Sequence, residues 1–242
     1  MRLRRRDPSS TPPAAGRRRG SLGGFGETVL ILGIALVLSL LIKTFLVQAF
    51  SIPSGSMEDT LLVGDRVLVS KLTPRAFDLH RGDVVVFKDP GGWLPTGLED
   101  DGSGLPRAVT NVLTFVGLMP ADAGEHLIKR VIGLPGDTVV CCDAQHRITV
   151  NGAPVTETYV RVGNSPSDEP FTVTVQADHL WVMGDNRTES LDSRFHRDLD
   201  GGQVPMGNVV GKAFAIVWPF GRFGGVTEPP DVFAKVPAPA KP

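Results

Sequence analysis

Ser56 and Lys129 are the pair in this chain best suited to chemistry on a carbonyl group. Ser56 stands in a short loop, Ile52-Pro53-Ser54-Gly55-Ser56-Met57, directly after a hydrophobic segment. Lys129 lies in an apolar stretch, His126-Leu127-Ile128-Lys129-Arg130-Val131-Ile132-Gly133. A solvated lysine is protonated at neutral pH, whereas burial disfavours the ammonium and frees the amine to act as a base. If the stretch is a strand, Leu127, Lys129 and Val131 face one way and Ile128, Arg130 and Ile132 the other. Each face then carries a charge among apolar neighbours. Arg130 has the longer reach to water, so Lys129 is the one expected to be buried; the alternative is an edge strand with two exposed cations. In the loop, Gly55 permits tight backbone geometry, Ser54 offers a second hydroxyl, and Met57 can pack an apolar side chain beside an exposed Ser56 hydroxyl. By itself Ser-Gly-Ser is also an ordinary loop tripeptide.

A third polar cluster is Met183-Gly184-Asp185-Asn186-Arg187-Thr188-Glu189-Ser190-Leu191-Asp192-Ser193-Arg194. Gly184 and Asn186 suit a turn after a strand. Asp185, Arg187, Asp192 and Arg194 offer two carboxylate–guanidinium pairings that would brace such a loop, and Ser190 is available as a hydrogen-bond partner for a neutral lysine. Two nearby aspartates also fit acid–base work or a hard metal, but the interspersed arginines favour structural ion pairing. His80, His126, His146, His179 and His196 are scattered, without His-x-x-x-His or Cys-x-x-Cys spacing, so no metal site is expected. Cys141 and Cys142 are adjacent. Neighbouring cysteines rarely form an unstrained disulfide, which leaves buried small side chains in a strand or a labile external thiol pair.

The elements that must position these groups are mostly strands. Arg66–Lys71, Val84–Phe87, Leu127–Ile132, Thr138–Cys142, Ile148–Asn151, Phe171–Val175, Leu180–Met183 and Val209–Val217 are short, β-branched and punctuated by Gly, Pro and Asp. Asn151-Gly152 suits a type I′ hairpin. The expected architecture is a mostly β, antiparallel β-sheet catalytic domain over residues 50–220. It carries an inserted excursion at 89–124, which includes an apolar patch at Val112–Val116. A second exposed connection runs from Arg161 to Pro170, and a Pro-rich, extended tail covers 221–242.

Before this domain the chain reads as a membrane anchor. Seven arginines precede residue 20, opposed only by Asp7, although the whole chain has a formal net charge of -1. That balance gives no global field for nucleic acid, and the basic arm abuts a long apolar run. Thr28 to Val47 supplies 20 positions, about the number a helix needs to cross a bilayer core. Lys43, near the far end, can snorkel toward the headgroups. The positive-inside rule keeps the arm in the cytoplasm and everything after residue 50 outside. The expected organisation is a disordered cytoplasmic arm at 1–26 and one N-terminal transmembrane helix at 27–49. A cleaved secretory signal is the alternative, because Ala49-Phe50-Ser51 offers a small-x-small exit.

Together these clusters resemble bacterial type I signal peptidase, a Ser-Lys endopeptidase family. The stretches that carry the likeness are Ile52–Met57, Arg81-Gly82-Asp83-Val84-Val85-Val86-Phe87 and Lys129-Arg130-Val131-Ile132-Gly133-Leu134-Pro135-Gly136-Asp137. The fourth is Gly184-Asp185-Asn186-Arg187 with Ser190-Leu191-Asp192-Ser193-Arg194. The resemblance runs from the anchor to about residue 218 and is loose in the two excursions. It implies that Ser56 is the nucleophile and Lys129 the general base. It further implies that Ser54 and the Ser56 amide hold the oxyanion, that Ser190 orients the base, and that Asp192 and Arg194 support the site. Asp185 belongs to the same loop without necessarily touching substrate. Asp59 departs from the family, which often has proline there.

The resemblance implies a bacterial plasma-membrane enzyme, single-pass with its catalytic domain outside, that removes N-terminal signal peptides from exported preproteins after small-x-small motifs. Its partners are those preproteins, membrane lipid and neighbouring export machinery, with no nucleic acid and no cofactor. Lipid contact is expected near Met57 or the Val112–Val116 patch. Two other readings remain open: a related self-processing or repressor-type Ser-Lys peptidase, and a noncatalytic membrane receptor or scaffold that binds exported peptides.

Overall fold

The computed structural model describes residues 22–94, 126–226 and 231–239, with side chains from residue 26 onward except those of 43 and 44. Most of the expected basic arm, most of the first excursion with its Val112–Val116 patch, and parts of the tail lie outside the described residues. The chain divides into two compact units, residues 1–39 and 40–242.

Helix α1 is Leu22–Phe45, 24 residues long. Its leucines, isoleucines and valines are exposed on every side, with Leu30 at 62% and Leu36 at 60%. Among the described residues no helix is long and apolar enough to cross a membrane.

The expected anchor ends at residue 49, but the helix stops at Phe45 and Val47–Ser51 forms strand β1. The apolar run therefore serves two structures. Its last residues lie in register with β2, Arg66–Ser70, with Ala49 opposite Leu68 and Phe50 opposite Val67. Phe50 is buried there, which alternation within a helix-like run conceals.

The remaining strands are β3 (Val84–Lys88), β4 (His126–Gly133), β5 (Thr138–Cys141), β6 (Thr149–Val150) and β7 (Ala153–Pro154). They are followed by β8 (Phe171–Thr174), β9 (His179–Met183), β10 (Val204–Pro205), β11 (Val209–Trp218) and β12 (Gly224–Gly225). An antiparallel sheet has the order β1-β2-β11-β3-β4-β9-β10, with β12 pairing β11, and a smaller one has the order β7-β6-β5-β8. The Asn151-Gly152 turn joins β6 to β7 with φ of 51° and 78°, as a type I′ connection requires.

Strand β3 shows why the large sheet reads as near-continuous apolar sequence. Val84 and Val86 enter one core cluster with Phe50, Met57 and Leu61, while Val85 and Phe87 enter another with Trp93, Val131 and Val182. Both faces are covered, so neither side of the strand is polar. A third cluster gathers the small sheet around Trp181, Phe171 and Tyr159. Phe233 from the Pro-rich tail is buried in it, and Pro237 O accepts from Asn151 Nδ2 at 2.9 Å. This part of the tail is docked on the small sheet.

Cys141 and Cys142 are joined to each other in a disulfide, against the sequence expectation.

Candidate active site

Lys129 and Arg130 lie mid-strand in β4, opposite Val85 and Val84 of β3. Successive residues of a strand leave opposite faces, so the two cations diverge. Both are buried, at 4% and 0% exposure. The expected reach of Arg130 to solvent is wrong: a compact carboxylate partner inside the protein replaces water. Its Nε and Nη2 hold Asp185 at 2.8 and 2.6 Å, and its Nη1 donates to Gly82 O at 2.7 Å. Thr60 Oγ1 donates to the same carboxylate at 2.6 Å, and the guanidinium lies over the Tyr159 ring at 4.1 Å.

Lys129 takes the other direction and meets Ser56. The extended Ser54, at φ −130° and ψ 157°, leads into a single 3₁₀ turn, Gly55–Met57, which presents Ser56 to the sheet. Lys129 Nζ donates to Ser56 Oγ at 2.6 Å, across 73 residues of sequence. Desolvation lowers the Lys129 pKa to about 8; Asp192 and Asp185 oppose that shift and Arg194 adds to it. A neutral amine is thus accessible near neutral pH, and it lies against an alcohol. Ser54 Oγ lies 3.5 Å from Ser56 Oγ at the exposed edge of the turn.

Ser56 itself is 4% exposed and Met57 is 0% exposed. Met57 packs in the core cluster behind the turn.

The loop after β9 closes the other side. Asp192 accepts from Ser190 Oγ at 2.8 Å, from Gly184 N at 2.9 Å, and from Arg194 Nε and Nη2 at 2.8 and 2.9 Å. Burial works against the Asp192 charge, but the Arg194 hydrogen bonds and charge, the Gly184 N–H and Lys129 together hold its pKa below the usual carboxylate value. Among the described residues Ser190 makes its hydrogen bond to Asp192, rather than the anticipated one to Lys129. One of the two expected ion pairs forms, Asp192–Arg194. The other is exchanged for long-range partners: Asp185 takes Arg130, and Arg187 takes Glu157 at 2.5 Å. At Gly184 a Cβ would collide with the Ser190 side chain and the Ser56 carbonyl, so only glycine lets this loop approach the nucleophile turn.

Thr60, Arg130, Glu157 and Asn186 are buried or partly buried participants to which sequence reasoning assigned no role at the site. Their signals, an ordinary threonine, a long-armed cation, an acid in a connection and a turn asparagine, are each common on protein surfaces.

The geometry defines a buried serine with an amine partner on a β scaffold. The family model for signal peptidase, peptidase S26, matches residues 25–218. The probable signal peptidase I of Mycobacterium leprae is 40% identical over 229 residues, covering 83% of this chain and 78% of that protein. The signal peptidase I of Leptolyngbya laminosa is 36% identical over 224 residues, covering 91% and 94%. A crystal structure of a signal peptidase I from Enterococcus faecalis V583 aligns with a TM-score of 0.36 and 24% identity, over 56% of this chain and 96% of that one. The chain is a serine endopeptidase of the signal peptidase I type. It belongs to the signal peptidase family, peptidase S26.

Proposed function

We propose that this chain is a membrane-anchored endopeptidase that cuts signal peptides from exported preproteins with Ser56 as nucleophile and Lys129 as general base. The observation that carries the reading is the buried 2.6 Å contact from Lys129 Nζ to Ser56 Oγ, with the lysine pKa lowered to about 8. Neutral Lys129 takes the Ser56 proton as Oγ attacks the scissile carbonyl. The Ser54 hydroxyl and the Ser56 N–H stabilise the developing oxyanion. Lys129 then gives its proton to the leaving amine and activates a water that hydrolyses the acyl-enzyme. Asp192 and Arg194 support the site, Ser190 steadies Asp192, and Asp185 anchors Arg130.

The precursor binds as an extended strand through main-chain hydrogen bonds, with small side chains at the first and third positions before the cut. In support of anchoring, the large apolar side chains of α1 from Val29 to Leu38, with Leu41 and Ile42, stand exposed along the helix. Arginines on its N-terminal side orient that end to the cytoplasm. The pairing of Ala49-Phe50-Ser51 within β1 disfavours removal of the anchor at that point.

We assign the apolar surface for membrane approach to an exposed rim linked to the chain just after the nucleophile turn. Trp218, Phe220 and Phe223 are 46%, 77% and 71% exposed, and Leu62 and Val63 are exposed beside them. Arg222 ties these groups together by bonding Asp65 at 3.0 Å and Thr60 O at 3.2 Å, four residues beyond the nucleophile. Exposed aromatics of this kind favour the membrane–water interface.

Purified full-length protein in detergent is expected to cleave an Ala-x-Ala precursor at one bond. Ser56→Ala and Lys129→Ala are each expected to lower kcat by more than ~10⁴-fold. Unreduced cleavage by either variant rules out the assigned roles.

A further inference from the structure

Asn186 is fully buried, yet it belongs to neither ion pair of its loop. Its backbone N–H donates to Ser56 O at 3.1 Å, and its side-chain Nδ2 donates to Gly55 O at 3.1 Å. Those two carbonyls belong to the consecutive peptide units on either side of the Ser56 Cα. The partners dictate which way the amide faces. Gly55 O and Glu58 Oε2, the latter at 3.4 Å, can only accept from a donor, so they take Nδ2. The opposite atom, Oδ1, accepts from Asn164 Nδ2 at 2.9 Å and from Thr188 Oγ1 at 3.3 Å.

The Gly55 carbonyl and the Ser56 N–H are two ends of one planar peptide, directed oppositely, and cannot turn independently. Holding the oxygen therefore holds the hydrogen. Gly55 O also accepts from Glu58 N at 3.0 Å. Two donors at the carbonyl end polarise the unit and strengthen its N–H as a donor.

We infer that Asn186 is the positioning residue of the oxyanion site: by clamping the Gly55 carbonyl it aims the Ser56 N–H at the scissile carbonyl oxygen. The inference rests on the reading of Ser56 as nucleophile. Asn164 acts one step further out, by fixing the Asn186 amide. The loop after β9 thus reaches the reacting oxygen through a single peptide plane.

The test uses the full chain in detergent, an Ala-x-Ala precursor, and a peptide aldehyde whose hemiacetal oxygen occupies the oxyanion position. Asn186→Ala is expected to lower kcat ~30-fold, less than the ~10²–10³ lost when a whole oxyanion donor is removed. KM stays within about twofold, and aldehyde affinity weakens by the same factor as kcat/KM, as an interaction made in the transition state requires. Asn186→Asp, the same size but lacking the donor, falls at least as far. Asn164→Ala, a milder change in the covering loop, lowers kcat ~3-fold with KM unchanged.

A purely structural role gives another pattern: lower Tm and fewer active sites by Ser56 labelling, but wild-type kcat per site and wild-type aldehyde affinity. That pattern in Asn186→Ala, or in Asn164→Ala where the first variant does not fold, overturns the inference. Absence of cleavage by wild type, or full cleavage by Ser56→Ala, instead overturns the underlying function and the inference with it.

Discussion

Lys129 and Arg130 are consecutive residues of one strand, both buried, and they serve different centres: the lysine donates to Ser56 Oγ and the guanidinium grips Asp185. The period-two geometry of β4 separates a tunable cation from a permanently charged one. Lys129 has its pKa lowered by desolvation, while Arg130 fixes the loop that carries Asp185.

Cleavage should require neutral Lys129, so kcat/KM is expected to rise with pH along a limb centred near 8 and then level off. Asp192 raises the Lys129 pKa, so Asp192→Asn should move the limb to lower pH even as the maximal rate falls. Initial rates on a precursor peptide between pH 6 and 10 measure both; a limb that stays in place in the variant contradicts this coupling.

Burial of Lys129 should cost stability at neutral pH. Its pKa is about 8 in the folded protein against 10.5 for the ordinary side chain, a penalty on the order of 3 kcal/mol at pH 7. Between those values the unfolded chain holds a proton that the folded chain lacks, so this contribution to stability rises with pH. Lys129→Met should therefore gain more Tm over wild type at pH 7 than at pH 10.5. Equal gains at both pH values, by calorimetry, would count against a buried amine of lowered pKa.

Breaking the Arg130–Asp185 pair one-sidedly should be severe, because the surviving charge stays buried. Arg130→Met is expected to cost roughly 3–5 kcal/mol in urea unfolding, and Arg130→Met with Asp185→Leu should recover much of it. Activity is expected to fall in the single variant as well, since Thr60, whose N–H bonds Met57 O of the nucleophile turn, donates to that carboxylate. A single variant as stable as wild type would show the pair to be dispensable.

Asp59, where the resemblance led to the expectation of proline, has φ of 77°. Proline is held near −65° and cannot adopt that value. Asp59→Pro should then destabilise by roughly 1–3 kcal/mol and disturb the turn after Ser56, whereas Asp59→Gly should be neutral or stabilising. Melting temperatures of the two variants decide it; a stabilised proline variant would place the backbone in a different conformation.

Much of the β scaffold was legible because β-branched runs and turn residues are local signals. Val84–Phe87, Leu127–Ile132 and Phe171–Val175 correspond closely to β3, β4 and β8, and the Asn151-Gly152 turn formed as anticipated. Strand β1 was hidden inside an apolar run that also supplies α1, since hydrophobicity by itself does not say where a helix gives way to a strand.

The amino-acid sequence determined the chemical types at the site: an alcohol after a glycine, an amine among apolar residues, and a loop of paired charges. Tertiary structure alone decided which groups meet. It sent Arg130 inward to Asp185, exchanged one expected loop pairing for Glu157–Arg187, and brought the Asn186 amide onto the Gly55 carbonyl. The reason is range: strand periodicity and turn propensity act over a few neighbours, whereas the Lys129–Ser56 contact joins positions 73 residues apart, and its energy depends on how much water the intervening layers exclude.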